Sequence, residues 1–368
     1  MIPYIKIAES EIEKLLKNAD KEKILNSLQA KKPGIEDLIN LISPAAAPMM
    51  NEISRKAAQI KKMHYGKTIK LYTPLYLSNY CINQCTYCGF NRSSSEKRRR
   101  LSVDQAIEEA EAIKKFGMDS ILIVSGEDPS YISIDYLEEL VKKMKKIFSY
   151  IAIEIYPMSM DHYKRLFNAG VDGLTLYQET YDRDTYKKFH RAGPKADYDF
   201  RLESILNGGR AGFRNLGIGV LLGLYDWRFE AFSLAAHAIW LKKKFWKSKI
   251  QFSFPRITVA NENFHVPAHV SEEELEQMVL AFRIVFPEAE ISISTRESCE
   301  FRNRIAPIAA STMSAASSVI PGGYADESQK ELGQFSLHDT RNAEQMAEDM
   351  KKMELDVIYK DWDTIFST

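Results

Sequence analysis

Three of the four cysteines, Cys81, Cys85 and Cys88, fall within eight residues in the segment NYCINQCTYCGFNRSSS, spaced C-x3-C-x2-C; the fourth, Cys299, stands far away. Three thiolates on one short loop can each bind one iron of a cubane [4Fe–4S] cluster and leave the remaining iron without a protein ligand. An open iron is what chemistry needs, because a cofactor or substrate can coordinate there. Two other readings use the same residues. A zinc site usually takes four ligands in paired C-x2-C units; no second pair exists, and nothing marks His64, Cys299 or a distant residue to complete one. A redox pair of Cys85 and Cys88 would normally open a helix in a smaller α/β fold. A disulfide framework would spread its cysteines through a small secreted chain.

The elements around the loop decide between these readings. From about residue 70 the pattern is strand, loop, helix, repeated, with strands predicted at Lys70–Ser78, Ser120–Ser125, Tyr150–Ile155, Gly173–Gln178, Asn215–Leu222, Lys249–Phe254, Glu290–Ser294 and Thr312–Ser317. Runs such as SILIVS and YIAIEIYP are nearly all apolar, as parallel strands covered on both faces should be. Ser102 with Gln105 and Ser271 with Glu274 form capping-box signatures, and Asp226 suits an N-cap. Eight such repeats predict an α/β chain closed as a (β/α)8 TIM-type barrel, with the cysteine loop directly after its first strand. The C-terminal strand ends of a barrel face the reaction site, which gives weight to Glu127, Glu154 and Glu179. The expected organisation is an N-terminal helical extension (1–65), the barrel (66–318) and a C-terminal extension (319–368) packed back on it.

Lys plus Arg (50) balances Asp plus Glu (50), so no global charge argues for nucleic acid or an anionic membrane as partner. No run of eighteen apolar residues occurs, and the N-terminal stretch is too acidic and interrupted for a signal peptide. The expected location is cytoplasmic. The run Lys97–Arg100 is expected to be a solvated loop, with docking of an acidic electron donor as the alternative.

At the cysteine loop, including Tyr87 just before Cys88, the sequence resembles the radical S-adenosylmethionine (SAM) superfamily. The segments PLYLSNYCINQCTYCGFN, SGEDP, LYQETYD, DWR, ISISTRES, PGGYAD, QFSLHD and YKDWD narrow the resemblance to the tyrosine lyases of thiamine biosynthesis, the 2-iminoacetate synthases, from about residue 70 onward. The resemblance implies a [4Fe–4S] cluster and SAM as cofactors and cleavage of L-tyrosine at its Cα–Cβ bond. It also implies a reductant such as flavodoxin or ferredoxin, and thiazole synthase as a functional partner. The related tyrosine lyase of hydrogenase maturation carries a further C-terminal cysteine motif; here Cys299 is the only later thiol, which argues against a role in making carbon monoxide and cyanide. Cys299 itself is expected to be a small buried hydrophobe.

Residue roles carried over from the resemblance are expectations. Cys81, Cys85 and Cys88 hold the cluster, with Tyr87 at the cofactor. Ser125-Gly126-Glu127 matches the glycine-rich strand end that receives the SAM amino group, with Ser125 in place of the family's first glycine. Glu179 and Arg201 match the SAM-binding acid and base, Arg201 suiting the methionine carboxylate, and Glu154 suits the ribose. Arg296, Ser314 and Tyr76 are expected to line the amino-acid pocket, Arg296 taking the substrate carboxylate. The histidines at 162, 190, 237, 265, 269 and 338 are candidates for an acid or base only in principle. Two alternatives stand beside the tyrosine lyase: a radical SAM lyase on another aromatic amino acid such as tryptophan, and a non-catalytic cluster-binding scaffold.

Overall fold

The structure is a computed structural model and describes residues 9–95, 97–258, 264–325 and 333–360. Among the described residues four α-helices precede the barrel, α1 (Glu9–Lys17), α2 (Lys21–Gln29), α3 (Ile35–Ile42) and α4 (Met50–Tyr65), with a 3-10 turn over Pro44–Met49 between the last two. Their apolar stripes settle their place. Leu38, Leu41, Ile42, Ile53 and Ala57 are fully buried, and α3 and α4 pack on α11 (Glu272–Val285) of the barrel wall.

The barrel strands are β1 (Thr68–Tyr76), β2 (Ser120–Val124), β3 (Tyr150–Glu154), β4 (Gly173–Thr175), β5 (Asn215–Gly219), β6 (Lys249–Ser253), β7 (Glu290–Ile293) and β8 (Thr312–Ser314). All pairings are parallel, and β1 pairs with both β2 and β8, which closes the ring. The remaining helices of the wall are α5 (Val103–Lys115), α6 (Ile134–Met144), α7 (Met160–Ala169), α8 (Arg183–Phe189), α9 (Tyr198–Ala211), α10 (Trp227–Lys244) and α12 (Cys299–Ile305). Both capping boxes form, and Asp226 caps α10 by accepting from the Arg228 and Phe229 amides. Each predicted strand is present and ends one to three residues earlier than expected, because the chain leaves the sheet to build the site.

Near the N-terminal strand ends, the barrel holds a buried ion pair. Lys70 Nζ lies 2.6 and 2.7 Å from the two Glu290 oxygens, and Asn215 Nδ2 donates to Glu290 Oε2 at 3.1 Å. Such a pair holds only when its remaining hydrogen-bonding positions are filled, and this plug leaves the opposite end of the barrel free for chemistry.

After β8 the chain crosses the barrel mouth, forms α13 (Ala343–Lys352) and ends the described part with β9 (Asp356–Ile358), which pairs parallel with Thr68–Lys70 of β1. The sequence pattern did not predict β9, since three residues carry no periodicity to detect. The last residues of the Tyr359–Asp363 motif lie outside the described residues, as does Asp326 of PGGYAD.

Candidate active site

The cysteine loop is held as a second strand of a small ribbon. Gln84 N donates to Ala192 O (2.9 Å), Thr86 N to Phe189 O (3.1 Å), and Cys85 bridges His190 in antiparallel sense. Asn83, buried beneath the loop, ties three partners together: Oδ1 accepts from Lys195 N (2.9 Å), while Nδ2 donates to Glu127 Oε2 (2.6 Å) and lies 3.7 Å from Cys81 Sγ. Gly193 makes this approach possible, because a Cβ there would stand 2.3 Å from Asn83 Oδ1, and its φ of +88° suits glycine.

The basic run is only in part the solvated loop expected from the sequence: Lys97 and Arg100 are exposed, while Arg98 and Arg99 are half-buried. Arg98 turns inward and donates to the carbonyl oxygens of Asn79, Phe90 (3.0 Å) and Asn91, stapling both flanks of the cysteine loop. Arg100 lies over the Tyr136 ring at 4.8 Å. A guanidinium carries enough donors in fixed directions to satisfy several loop carbonyls at once, and charge counting along the sequence does not reveal that use.

A cleft opens over this loop at the C-terminal ends of the strands. Cys81, Cys85, Cys88, Ser125, Gly126, Glu127, Glu154, Glu179 and Arg201 all line it. Of the expected cofactor residues only Tyr87 stands outside the lining; its hydroxyl lies 2.8 Å from His190 Nε2, whose Nδ1 faces Tyr186 O at 2.8 Å. With Nδ1 protonated toward the carbonyl, the Tyr87 hydroxyl donates to Nε2. Gly126 must lack a side chain, because a Cβ would lie 2.3 Å from the Tyr80 carbonyl oxygen.

Glu179 adopts a left-handed backbone (φ 71°), unusual for a residue with a side chain. Burial would push its carboxyl up, but Lys195 Nζ at 2.6 Å and Arg201 NH2 at 3.2 Å outweigh that and hold it down at about 2. Glu154 is different. Burial, with Glu179 adding to it, pushes its carboxyl up to about 7, and it has no hydrogen-bond or ion-pair partner among the described residues.

A second lobe adjoins the first, and both are lined by Val124, Glu154 and Tyr177. Here the structure brings together the three expected substrate residues, Tyr76, Arg296 and Ser314. Arg296 is covered by the Phe335 ring at 3.6 Å and makes one long contact to Arg256 O (3.5 Å). No carboxylate pairs with it among the described residues, since neighbouring Glu297 is taken by Arg256. Ser314 Oγ accepts from Thr295 N (3.1 Å) and stands within hydrogen-bonding reach of the Tyr72 hydroxyl. Tyr76 is less free: its hydroxyl donates to Gln334 Oε1 (2.8 Å).

Lys195, Asn83, Gln334 and Phe335 were missed in the sequence, and Arg98 was read only as part of a basic run. Each acts through a tertiary contact from a loop, where no periodicity marks it. Gln334 and Phe335 open the segment QFSLHD, which marked the family without disclosing a role. Cys299 also departs from expectation: it is half-buried at the start of α12 beside Asp339, not sealed in the core.

The residues fit a cluster with an open corner. No cysteine is in a disulfide, and burial holds the Cys88 thiol up at about 11 and Cys85 higher still. Such thiols ionise when a metal takes them. Among the described residues no group of three His, Cys, Asp or Glu is placed to hold a single metal ion.

A closed barrel carrying this loop after its first strand, with a polar cleft over it, defines a radical SAM protein. The radical SAM superfamily pattern matches residues 75–234, and the biotin and thiamin synthesis associated domain matches residues 253–356. The chain is 39% identical to the 2-iminoacetate synthase of Salmonella typhimurium, over 94% of this chain and 91% of that protein. It is 38% identical to the 2-iminoacetate synthase of Escherichia coli over the same shares. A crystal structure of HydG, a maturase of the [FeFe]-hydrogenase, superposes with a TM-score of 0.90 at 30% identity, covering 96% of this chain and 80% of that one. The chain belongs to the 2-iminoacetate synthase family.

Proposed function

We propose that this protein is a carbon–carbon lyase that cleaves L-tyrosine between Cα and Cβ, giving 2-iminoacetate (dehydroglycine) and p-cresol for the thiazole of thiamine. The observation that carries the substrate side is Arg296, a cation without an acidic partner among the described residues, facing a lobe that adjoins the cysteine cleft. Its cofactors are a [4Fe–4S] cluster and SAM, which together supply a 5′-deoxyadenosyl radical that takes a hydrogen atom from the substrate amine. Cys81, Cys85 and Cys88 hold the cluster, and Gly126, Glu127, Glu179 and Arg201 hold SAM. Arg296 pairs with the substrate carboxylate, Ser314 donates to it, and Tyr76 with Phe335 shapes the wall. Loss of the N–H hydrogen lets the Cα–Cβ bond break; the p-hydroxybenzyl fragment then takes up one electron and one proton to become p-cresol.

Reduction needs an electron donor such as flavodoxin or ferredoxin, and the reactivity of 2-iminoacetate toward water favours work beside thiazole synthase. A cytoplasmic setting accords with an oxygen-sensitive cluster, and no described helix is long and apolar enough to cross a membrane. We place the divisions at 1–65, 66–318 and 319–368, supported by the start of β1 and the end of the barrel mouth.

The test is product identification. Anaerobically reconstituted protein given SAM, reductant and either amino acid should release p-cresol from tyrosine and no indole product from tryptophan; the reverse would replace the substrate. Arg296→Ala should lose tyrosine turnover while retaining cluster content and most SAM binding, and equal loss of cluster would make Arg296 structural.

A further inference from the structure

Glu154 ends β3 at the junction of the two lobes and lines both. Every other acid at the strand ends is committed: Glu127 to Asn83, Glu179 to Lys195 and Arg201, and Glu297 to Arg256. The family resemblance would spend Glu154 on the ribose, yet it also lines the lobe holding Arg296 and Ser314.

An α-amino acid carries its ammonium one carbon from its carboxylate. If Arg296 and Ser314 take the carboxylate, the amine must turn toward the cofactor lobe, because its hydrogen is the one removed. The acceptor standing at that junction is Glu154. Resting on the tyrosine-lyase reading, we propose that Glu154 receives the substrate's amino group, so that one carboxylate oxygen aims the N–H at the cofactor lobe. Burial to a near-neutral titration leaves this carboxyl sensitive to a nearby cation, which an arriving ammonium supplies.

The experiment compares two ligands on reconstituted protein at SAM concentrations that saturate each variant. L-Tyrosine is set against its des-amino analogue, p-hydroxyphenylpropanoate, for wild type, Glu154→Gln and Glu154→Asp. Wild type should prefer tyrosine by about ten- to a hundredfold, the worth of a charged hydrogen bond. Glu154→Gln should lose most of that preference by weakening tyrosine alone, with the analogue's affinity unchanged and serving as the folding control. Glu154→Asp should fall between. Because saturating SAM removes any ribose contribution, an unchanged preference in Glu154→Gln would overturn the assignment, as would equal weakening of both ligands. Absence of p-cresol from wild type would instead sink the lyase reading itself.

Discussion

Lys195 Nζ lies 2.6 Å from Glu179 Oε1, and its own backbone N–H caps Asn83 beneath the cysteine loop. One residue therefore couples the acid of the cofactor cleft to the loop that holds the metal ligands. Lys195→Met leaves Glu179 buried with Arg201 alone. Breaking one partner of a buried pair costs about 3 kcal/mol, measurable as a shifted denaturant midpoint in the metal-free protein. The pH dependence has a definite sign. Glu179 titrates at about 2 against an ordinary 4.5, so its stabilisation is present above 4.5 and lost as pH falls toward 2. In Lys195→Met the folded-state value moves back toward 4.5, so this acid-dependent loss should be smaller and end at higher pH, and an unchanged acid transition would contradict the coupling.

The strained backbone of Glu179 has a visible cause. Glu230, buried in α10, accepts from the Thr180 hydroxyl and from Tyr181 N at 2.9 Å, fixing the chain immediately after it. Left-handed geometry for such a residue costs on the order of 1–2 kcal/mol, which this clamp offsets. Glu230→Ala should raise the KM for SAM roughly tenfold, with a smaller change in kcat. Glu230→Gln, keeping one carbonyl acceptor, should recover part of it. A kcat loss without a KM change would place Glu230 outside SAM positioning.

Arg98 should govern how well the loop keeps its metal. Arg98→Met removes donors from the Asn79, Phe90 and Asn91 carbonyls, each worth about 1.5–3 kcal/mol when charged. Iron retained per chain after reconstitution and gel filtration should drop below half that of wild type. Full retention would return Arg98 to the surface role suggested by its sequence.

Gly126→Ala tests the closest backbone approach in the cleft. Its methyl would collide with Tyr80 O, a backbone atom that cannot rotate away. The variant should lose SAM binding, and the shift of Tyr80 beside Cys81 should lower cluster content as well. Wild-type SAM affinity would mean that the loop gives way without cost.

The barrel was legible because its signals are periodic: apolar runs such as Ser120–Val124 and the capping boxes at Ser102 and Ser271 specify strands and helix starts locally. The cysteine spacing and the strand-end acids were legible for the same reason, being patterns within one segment. Lys195, Asn83 and Gln334 were not. They acquire meaning only when loops from different repeats meet, as when Gln334 of the C-terminal segment accepts from Tyr76 of β1. Arg98 shows the converse, a charge whose neighbours in sequence advertise solvent while the fold turns it onto carbonyls.

The most direct test of the account is the response of the reduced, reconstituted protein to SAM, read as the electron paramagnetic resonance signal. The account predicts iron and sulfide in equal amounts, a cluster signal that changes when SAM is added, and loss of that signal in Cys81→Ala, Cys85→Ala and Cys88→Ala. Bound zinc in place of iron, or a cluster signal indifferent to SAM, would contradict it.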